Sequence, residues 1–145
     1  MACETTTPAR ILVIDAQGGG LGSHIIRRIR EELPDAVVTA VGTNAAATQA
    51  MLKAGADRGA TGENAVAVNV KACDYIIGPM GILVADSMLG EVTANMAVSI
   101  GRAEAKKILV PFSRCNTIIA GITETGTNNL ADAAVKALKK DIFKQ

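Results

Sequence analysis

Aromatic residues are nearly absent from this sequence of 145 residues, since Phe, Tyr and Trp together make up 2% of the chain. Aromatic side chains are the platforms on which unpaired bases stack, so the composition argues against a nucleic-acid partner. A charge excess of one sign is lacking too. The formal net charge is +1, and no large electrostatic field is available to attract nucleic acid or an anionic membrane surface.

Cysteine is scarce, and long uninterrupted apolar runs are missing. Cys3, Cys73 and Cys115 are odd in number and fit no metal-ligand spacing, so we predict neither a disulfide framework nor a metal site, and a reducing, cytoplasmic setting. The longest apolar stretch, residues 75–100, is interrupted by glycine, proline and acids, which argues against a membrane span. The first nine residues are polar and lack the pattern of a signal peptide. We expect residues 1–9 to form a flexible tail before a single domain over residues 10–145.

Apolar runs of strand length alternate with helical patterns along that domain. This alternation is typical of a Rossmann-like, doubly wound α/β fold, here with a mostly parallel sheet of five to six strands. Only four residues separate the predicted strands 107–112 and 117–122, which is too short for a parallel crossover, so we expect the last strand to be an antiparallel edge strand. Helices are predicted over residues 21–33, 45–54, 65–73, 80–89, 93–105 and 130–143.

A run rich in glycine follows the first predicted strand and opens the first predicted helix. Glycines at such a junction permit positive φ and a close approach of the ligand, while the free N–H groups of the helix start attract anions. We therefore predict a phosphate or nucleotide site here. Its candidate residues are Gln17, Gly18, Gly19, Gly20, Gly22 and Ser23.

Polar residues or glycines also follow the other predicted strands. Because the carboxyl ends of parallel strands share one edge of a sheet, these residues are expected to line the same crevice. They are Thr43, Asn44, Glu63, Asn64, Gly78, Pro79, Met80 and Gly81, with Cys115 or Asn116 at the rim.

No catalytic set is evident from the sequence. Asp86, Glu91 and Cys115 are the weak candidates for chemistry, and for the two acids pairing with a backbone N–H or at a subunit contact is the favoured explanation. The only histidine, His24, falls in the first turn of the first helix, where we expect it to lie on the helix surface.

The glycine run resembles two known motifs. It matches the first half of G-x-G-x-x-G, with Ser23 in place of the third glycine. It also resembles the G-x-x-x-G-x-G of short-chain dehydrogenases with Ala16 at the first glycine, which implies NAD or NADP. That family's Tyr-x-x-x-Lys is missing, because Pro79 stands four residues after Tyr75, and no acid ends the second strand. No Gly-Lys-Ser/Thr follows the glycines, which excludes a P-loop.

Several segments taken together resemble a family of small bacterial Rossmann-like proteins of unknown function. The resemblance covers residues 10–122 and is carried by the segments 11–22, 41–44, 51–56, 59–65, 77–81, 85–93 and 107–111. It implies the fold and a bacterial cytoplasmic setting, and no activity. The function expected from the sequence is therefore binding of a nucleotide, such as NADP, or of another phosphorylated ligand. The alternatives are a small NAD(P)-dependent oxidoreductase and an assembly module without a ligand, and we expect a homodimer because apolar helix faces are exposed in so small a domain.

Overall fold

The structure of the chain, a computed structural model, describes residues 7–111, 116–122 and 126–144. Within these ranges the strands are β1 (Arg10–Asp15), β2 (Val37–Gly42), β3 (Arg58–Thr61), β4 (Tyr75–Pro79) and β5 (Lys106–Val110). The α-helices are α1 (Gly20–Glu32), α2 (Ala45–Ala54), α3 (Glu63–Asn69), α4 (Ala94–Arg102) and α5 (Thr127–Ile142), and a 3₁₀ helix spans Met80–Leu83.

The five strands form one parallel sheet in the order β3-β2-β1-β4-β5. This arrangement confirms the predicted Rossmann-like α/β fold. The chain moves outward from β1 through β2 to β3 and then returns to the other side of β1 as β4. The switch in direction leaves a crevice at the carboxyl ends of β1, β2 and β4, which is where ligands bind in open α/β sheets.

Alternate residues of β1 serve the two faces of the sheet, as a strand with a side-chain period of two requires. Ile11 and Val13 are buried with α1, α2 and α5, whereas Leu12 and Ile14 are buried with α3 and α4. The central strand is therefore apolar on both faces, which is typical of a parallel sheet covered by helices. A rigid central strand fixes the position of the loop that follows it.

The helix predicted over residues 80–89 is wrong beyond its first turn. After the 3₁₀ helix the backbone takes positive φ at Asp86, Met88 and Leu89, with values of 64°, 56° and 59°. A right-handed helix does not permit these angles. The Asp86 N–H instead donates to the Val92 carbonyl at 2.8 Å, so this stretch closes on itself as a compact loop.

The antiparallel edge strand predicted over residues 117–122 is not formed. No residue in this range belongs to a strand, and Ile118 is 94% exposed, so there is no buried face to hold an added strand. Residues 112–115, which would form the predicted turn, lie outside the described residues. In the described ranges no helix is both long and apolar enough to cross a bilayer.

Candidate functional site

The loop between β1 and α1 is held in place by a buried carboxylate. Asp15, the last residue of β1, is 5% exposed. Its Oδ1 accepts the Ala16 N–H at 2.8 Å, and its Oδ2 accepts the Gly22 N–H at 2.7 Å. Burial raises the pKa of Asp15, and the two backbone hydrogen bonds act against that rise. One side chain thus ties both ends of the glycine run together and fixes its shape.

The glycines of this loop fall into two groups. A Cβ at Gly19, where φ is 70°, would lie 2.8 Å from the Cα of Ala47 on α2, and one at Gly22 would lie 2.6 Å from the Met51 sulfur. These two glycines allow the loop and α1 to pack closely against α2. At Gly18 and Gly20, by contrast, a Cβ would meet nothing within 4 Å. Packing therefore explains the first pair and leaves the second pair without a structural reason.

The open side of the loop faces a cavity of about 610 Å³. Gly18, Gly20 and Leu21 line it, and their N–H groups have no acceptor in the part of the chain that the structure describes. They stand at the start of α1, a helix of 13 residues whose dipole places partial positive charge there. No lysine or arginine is among the described residues of the cavity wall. Any anion in the cavity would therefore be held by backbone dipoles.

The opposite wall of the cavity is the loop over residues 84–92. Val84, Ala85, Met88 and Leu89 contribute apolar surface, and Leu89 is 98% exposed. The buried Ser87 hydroxyl donates to the Gly81 carbonyl at 2.5 Å and anchors the loop. The cavity thus combines polar N–H donors on one wall with an apolar opposite wall, a combination common in small-molecule sites.

Glu91 leaves this loop and reaches the end of β2. Its Oε1 accepts hydrogen bonds from the Gln17 N–H at 2.9 Å, the Thr43 hydroxyl at 2.8 Å and the Asn44 side-chain amide at 2.6 Å. Burial is the largest single influence and raises the pKa of Glu91, but the three hydrogen bonds together outweigh it and leave this pKa below its usual value. The residues that follow β2 along the chain include no acid, so it is Glu91 from a distant loop that places a carboxylate there.

Some of the residues predicted to bind a ligand line the cavity, and others do not. Gln17, Gly18, Gly19, Gly20 and Pro79 are on its wall. Thr43 and Asn44 lie outside the wall and donate to Glu91, and the Asn44 Oδ1 also caps α2 by accepting the Ala47 N–H at 2.9 Å.

Other predicted binding residues lie outside the cavity wall. The Ser23 hydroxyl is buried and donates to the Gly19 carbonyl at 2.6 Å. Gly78 permits close strand packing, since a Cβ there would lie 2.3 Å from the Ile14 carbonyl oxygen. Glu63 and Asn64 lie in α3, outside the cavity wall, and Glu63 accepts the Thr93 hydroxyl at 2.6 Å.

The residues considered for chemistry do not come together. Asp86 lines the cavity, while Cys115 lies outside the described residues. His24 Nε2 pairs with Asp132 of α5 at 2.8 Å and so joins two helices. Tyr75 begins β4 at the amino end of the sheet, where its hydroxyl donates to Asp141 at 2.8 Å. Among the described residues no group of three or more His, Cys, Asp or Glu could hold a metal ion.

Sequence reasoning missed Asp15, Leu21 and the apolar residues of the 84–92 loop. A signal for Asp15 was present, because an acid at the end of an apolar strand and directly before a glycine run must find donors when it is buried. No comparable signal marks the contact of Glu91 with β2, which depends on the path of a loop with positive φ at Asp86, Met88, Leu89 and Gly90.

The fold and the glycine loop define a Rossmann-like domain with its cavity at the switch point of the sheet. The chain belongs to the family described as "Domain of unknown function (DUF3842)", which matches residues 10–143. Comparison with curated proteins finds no match.

The solved structures that are similar to this chain include the following two. AibC is similar with a TM-score of 0.51 and 17% identity, over 96% of this chain and 44% of AibC, so the chain spans less than half of that protein. A dodecameric FMN-dependent UbiX-like decarboxylase from Escherichia coli O157:H7 is similar with a TM-score of 0.44 and 17% identity, over 89% of this chain and 75% of that one. Likeness at this level concerns the fold alone.

Proposed function

We propose that this protein binds a phosphorylated small molecule of the nucleotide class, with a phosphate on the loop between β1 and α1. The observation that carries the proposal is the set of backbone N–H groups of Gly18, Gly20 and Leu21, which line a cavity of about 610 Å³ without an acceptor among the described residues. Gly18 and Gly20 are exposed and Leu21 is half-buried, so the N–H groups left free at this helix start are open to an anionic ligand.

The apolar wall of the cavity narrows the class of ligand. Inorganic phosphate would leave Val84, Met88 and Leu89 without a partner, whereas a nucleotide offers a planar base to cover them. The lack of lysine and arginine in the described wall favours a phosphate of low charge, since only backbone dipoles would neutralise it.

Substitution of Gly20 tests this proposal. A side chain there meets no atom within 4 Å, and an acid in the first turn of α1 is favourable to the helix dipole, so Gly20→Asp should fold normally. We expect its carboxylate to occupy the anion position and to weaken AMP binding at least about 100-fold, measured by isothermal titration calorimetry. Gly20→Asn has the same shape without the charge and should lose clearly less.

A second control addresses the opposite end of the sheet. Arg102→Glu reverses an exposed charge near the amino ends of the strands and should leave AMP affinity unchanged. The proposal fails if a folded Gly20→Asp variant binds AMP as the wild type does. It also fails if neither calorimetry nor a thermal shift detects AMP, NAD, NADP, ATP or a sugar phosphate.

The oxidoreductase alternative has no comparable support. The only tyrosine lies at the amino end of β4, and its pKa is raised to about 12 by burial and by the adjacent Asp141. A tyrosine that gives up its proton near neutral pH is therefore not available from this chain. Hydride transfer from NADPH to a panel of carbonyl compounds would revive that alternative.

We also propose that the protein is a homodimer and acts in the cytoplasm. Val68 of α3 and Val98 of α4 are 57% and 47% exposed, and these two helices pack together on one face of the sheet. Apolar side chains on adjacent helices favour association with a second copy. Light scattering coupled to size-exclusion chromatography should give the mass of two chains, and Val98→Lys should shift it toward one.

A further inference from the structure

Glu91 occupies the place beside β2 where an acid is useful in a nucleotide site. It belongs to the 84–92 loop, which follows β4, yet its carboxylate contacts Thr43 and Asn44 at the carboxyl end of β2. The carboxylate also accepts the N–H of Gln17, a residue of the cavity wall. Glu91 is half-buried and is not itself part of the cavity wall, and it adjoins that wall through Gln17.

The two oxygens of this carboxylate are used unequally. Oε1 accepts all three hydrogen bonds, at 2.6 to 2.9 Å, whereas Oε2 accepts none from the described residues. Three donors fix the carboxylate in one orientation and keep it ionised near neutral pH. An ionised carboxylate offers acceptors only, so its free oxygen suits a hydroxyl and repels a phosphate.

We propose that Glu91 is a specificity-determining residue that accepts a hydrogen bond from a ribose hydroxyl of the bound nucleotide and excludes nucleotides with a phosphate on that ribose. This inference rests on the proposed function, because it takes the 5′-phosphate to lie on the N–H groups of the glycine loop. Gln17, which donates to Glu91, and Gly20 are three residues apart and so lie within about 11 Å of each other, a separation that phosphate and ribose of one nucleotide are long enough to bridge. Because no acid ends the β2 segment, the sequence predicts no preference for NAD over NADP. With Glu91 at that place, we expect a preference against NADP.

The same contacts have a second explanation, in which Glu91 only fastens the 84–92 loop to β2. A fastening role affects every nucleotide alike, because it changes the shape of the cavity and not its chemistry beside the ribose. A recognition role changes the ratio of affinities between nucleotides that differ only at the ribose. The ratio therefore separates the two explanations.

The test uses calorimetric titration of the full chain with three probes. These are AMP, 2′,3′-dideoxy-AMP, which lacks both ribose hydroxyls, and adenosine 2′,5′-bisphosphate, which carries the excluded phosphate. For the wild type we expect dideoxy-AMP to bind about tenfold more weakly than AMP, and the bisphosphate at least about tenfold more weakly. In Glu91→Gln both ratios should fall to about threefold or less, while Glu104→Gln, a carboxylate at the other end of the sheet, should leave them unchanged.

Three outcomes decide the matter. Absence of AMP binding to the wild type overturns the proposed function and this inference together. A second outcome overturns the inference alone. In it Gly20→Asp loses AMP binding, but the wild type binds the three probes with equal affinity. Equal weakening of all three probes in Glu91→Gln, with wild-type ratios, also overturns it and leaves Glu91 a fastening residue. The wild-type ratios need no variant, so a Glu91→Gln protein that fails to fold does not remove the test.

Discussion

The two ends of the parallel sheet each carry a large cavity, and they differ in how their polar groups are satisfied. The cavity at the amino end is the larger, at about 870 Å³. In its wall Arg10 donates from its backbone and side chain to Asp74 at 2.8 and 2.9 Å, and Tyr75 donates to Asp141 of α5, while some of its exposed charged side chains, such as Arg102, make no hydrogen bond to a described residue. At the carboxyl end the N–H groups of Gly18, Gly20 and Leu21 lack acceptors among the described residues. Unpaired backbone N–H groups at a helix start, more than volume, distinguish the candidate binding site from the other cavity.

The largest effect is expected in the glycine loop, where Gly19 packs against α2 and Gly18 faces open space. Gly19→Ala places a Cβ 2.8 Å from the backbone of Ala47 at a φ of 70°, and should lower the free energy of unfolding by about 2 to 4 kcal/mol. Gly18→Ala meets nothing within 4 Å and should leave stability within about 0.5 kcal/mol. Urea unfolding of the two variants measures the difference. Equal losses would show that the loop does not pack on α2 as described.

The sequence predicts the glycine loop itself. It does not predict which of its glycines pack against α2 and which face the cavity. The hydrophobic period changes from two before the glycine run to 3.6 after it, which predicts a strand followed by a helix. The glycine run between them predicts a tight turn, so the β1–loop–α1 unit is predicted as a whole. Which glycine faces α2 depends on how the two helices cross, and no local pattern encodes that. The five strands and five α-helices of the structure were predicted to within a few residues, because the periodicity that predicts them is a local pattern.

The errors have different physical origins. Residues 80–89 carry apolar residues at spacings that suit a helix, but Asp86, Met88 and Leu89 adopt positive φ and build a loop held by Ser87 and Val92. Residues 117–122 have the β-branched composition of a strand but remain outside the sheet. In the first stretch tertiary contacts override local preference, whereas the second stretch has no buried face to hold it against the sheet. The position of Glu91 beside β2 follows from that loop and was equally hidden.

A smaller effect distinguishes the asparagines that follow β2 and β3. Asn44 caps α2 through Oδ1 and donates to Glu91 at 2.6 Å through its amide, so Asn44→Ala should cost about 1 to 2 kcal/mol of unfolding free energy. Asn64 is exposed in the first turn of α3 and has no hydrogen bond from its side chain to another described residue. Asn64→Ala should therefore stay within about 0.5 kcal/mol. Thermal unfolding of both variants is the measurement, and equal midpoints would contradict the contacts assigned to Asn44.

The smallest expected effect concerns the acids at the two ends of the sheet, which titrate in opposite directions. At the amino end, hydrogen bonds from the Arg10 side chain lower the pKa of Asp74, so its stabilisation is present above the unfolded value of about 3.9 and is lost as pH falls through the lowered value. At the carboxyl end, burial raises the pKa of Asp15. Its contribution is present below the unfolded value and is lost as pH rises through the raised one.

The variants Asp74→Asn and Asp15→Asn should therefore change the acid branch of the stability curve with opposite signs. Asp74→Asn should make the loss of unfolding free energy between pH 5 and pH 3 shallower, by less than about 1 kcal/mol because that side chain is 41% exposed and its ion pair is screened by water. Asp15→Asn should make the same loss steeper, whatever it costs in absolute stability, since the native state no longer takes up a proton first. Urea unfolding at several pH values gives both slopes. A change of the same sign in the two variants would mean that the carboxylate at the glycine loop is not buried as the structure describes, and the rigid cradle argued from Asp15 would lose its anchor.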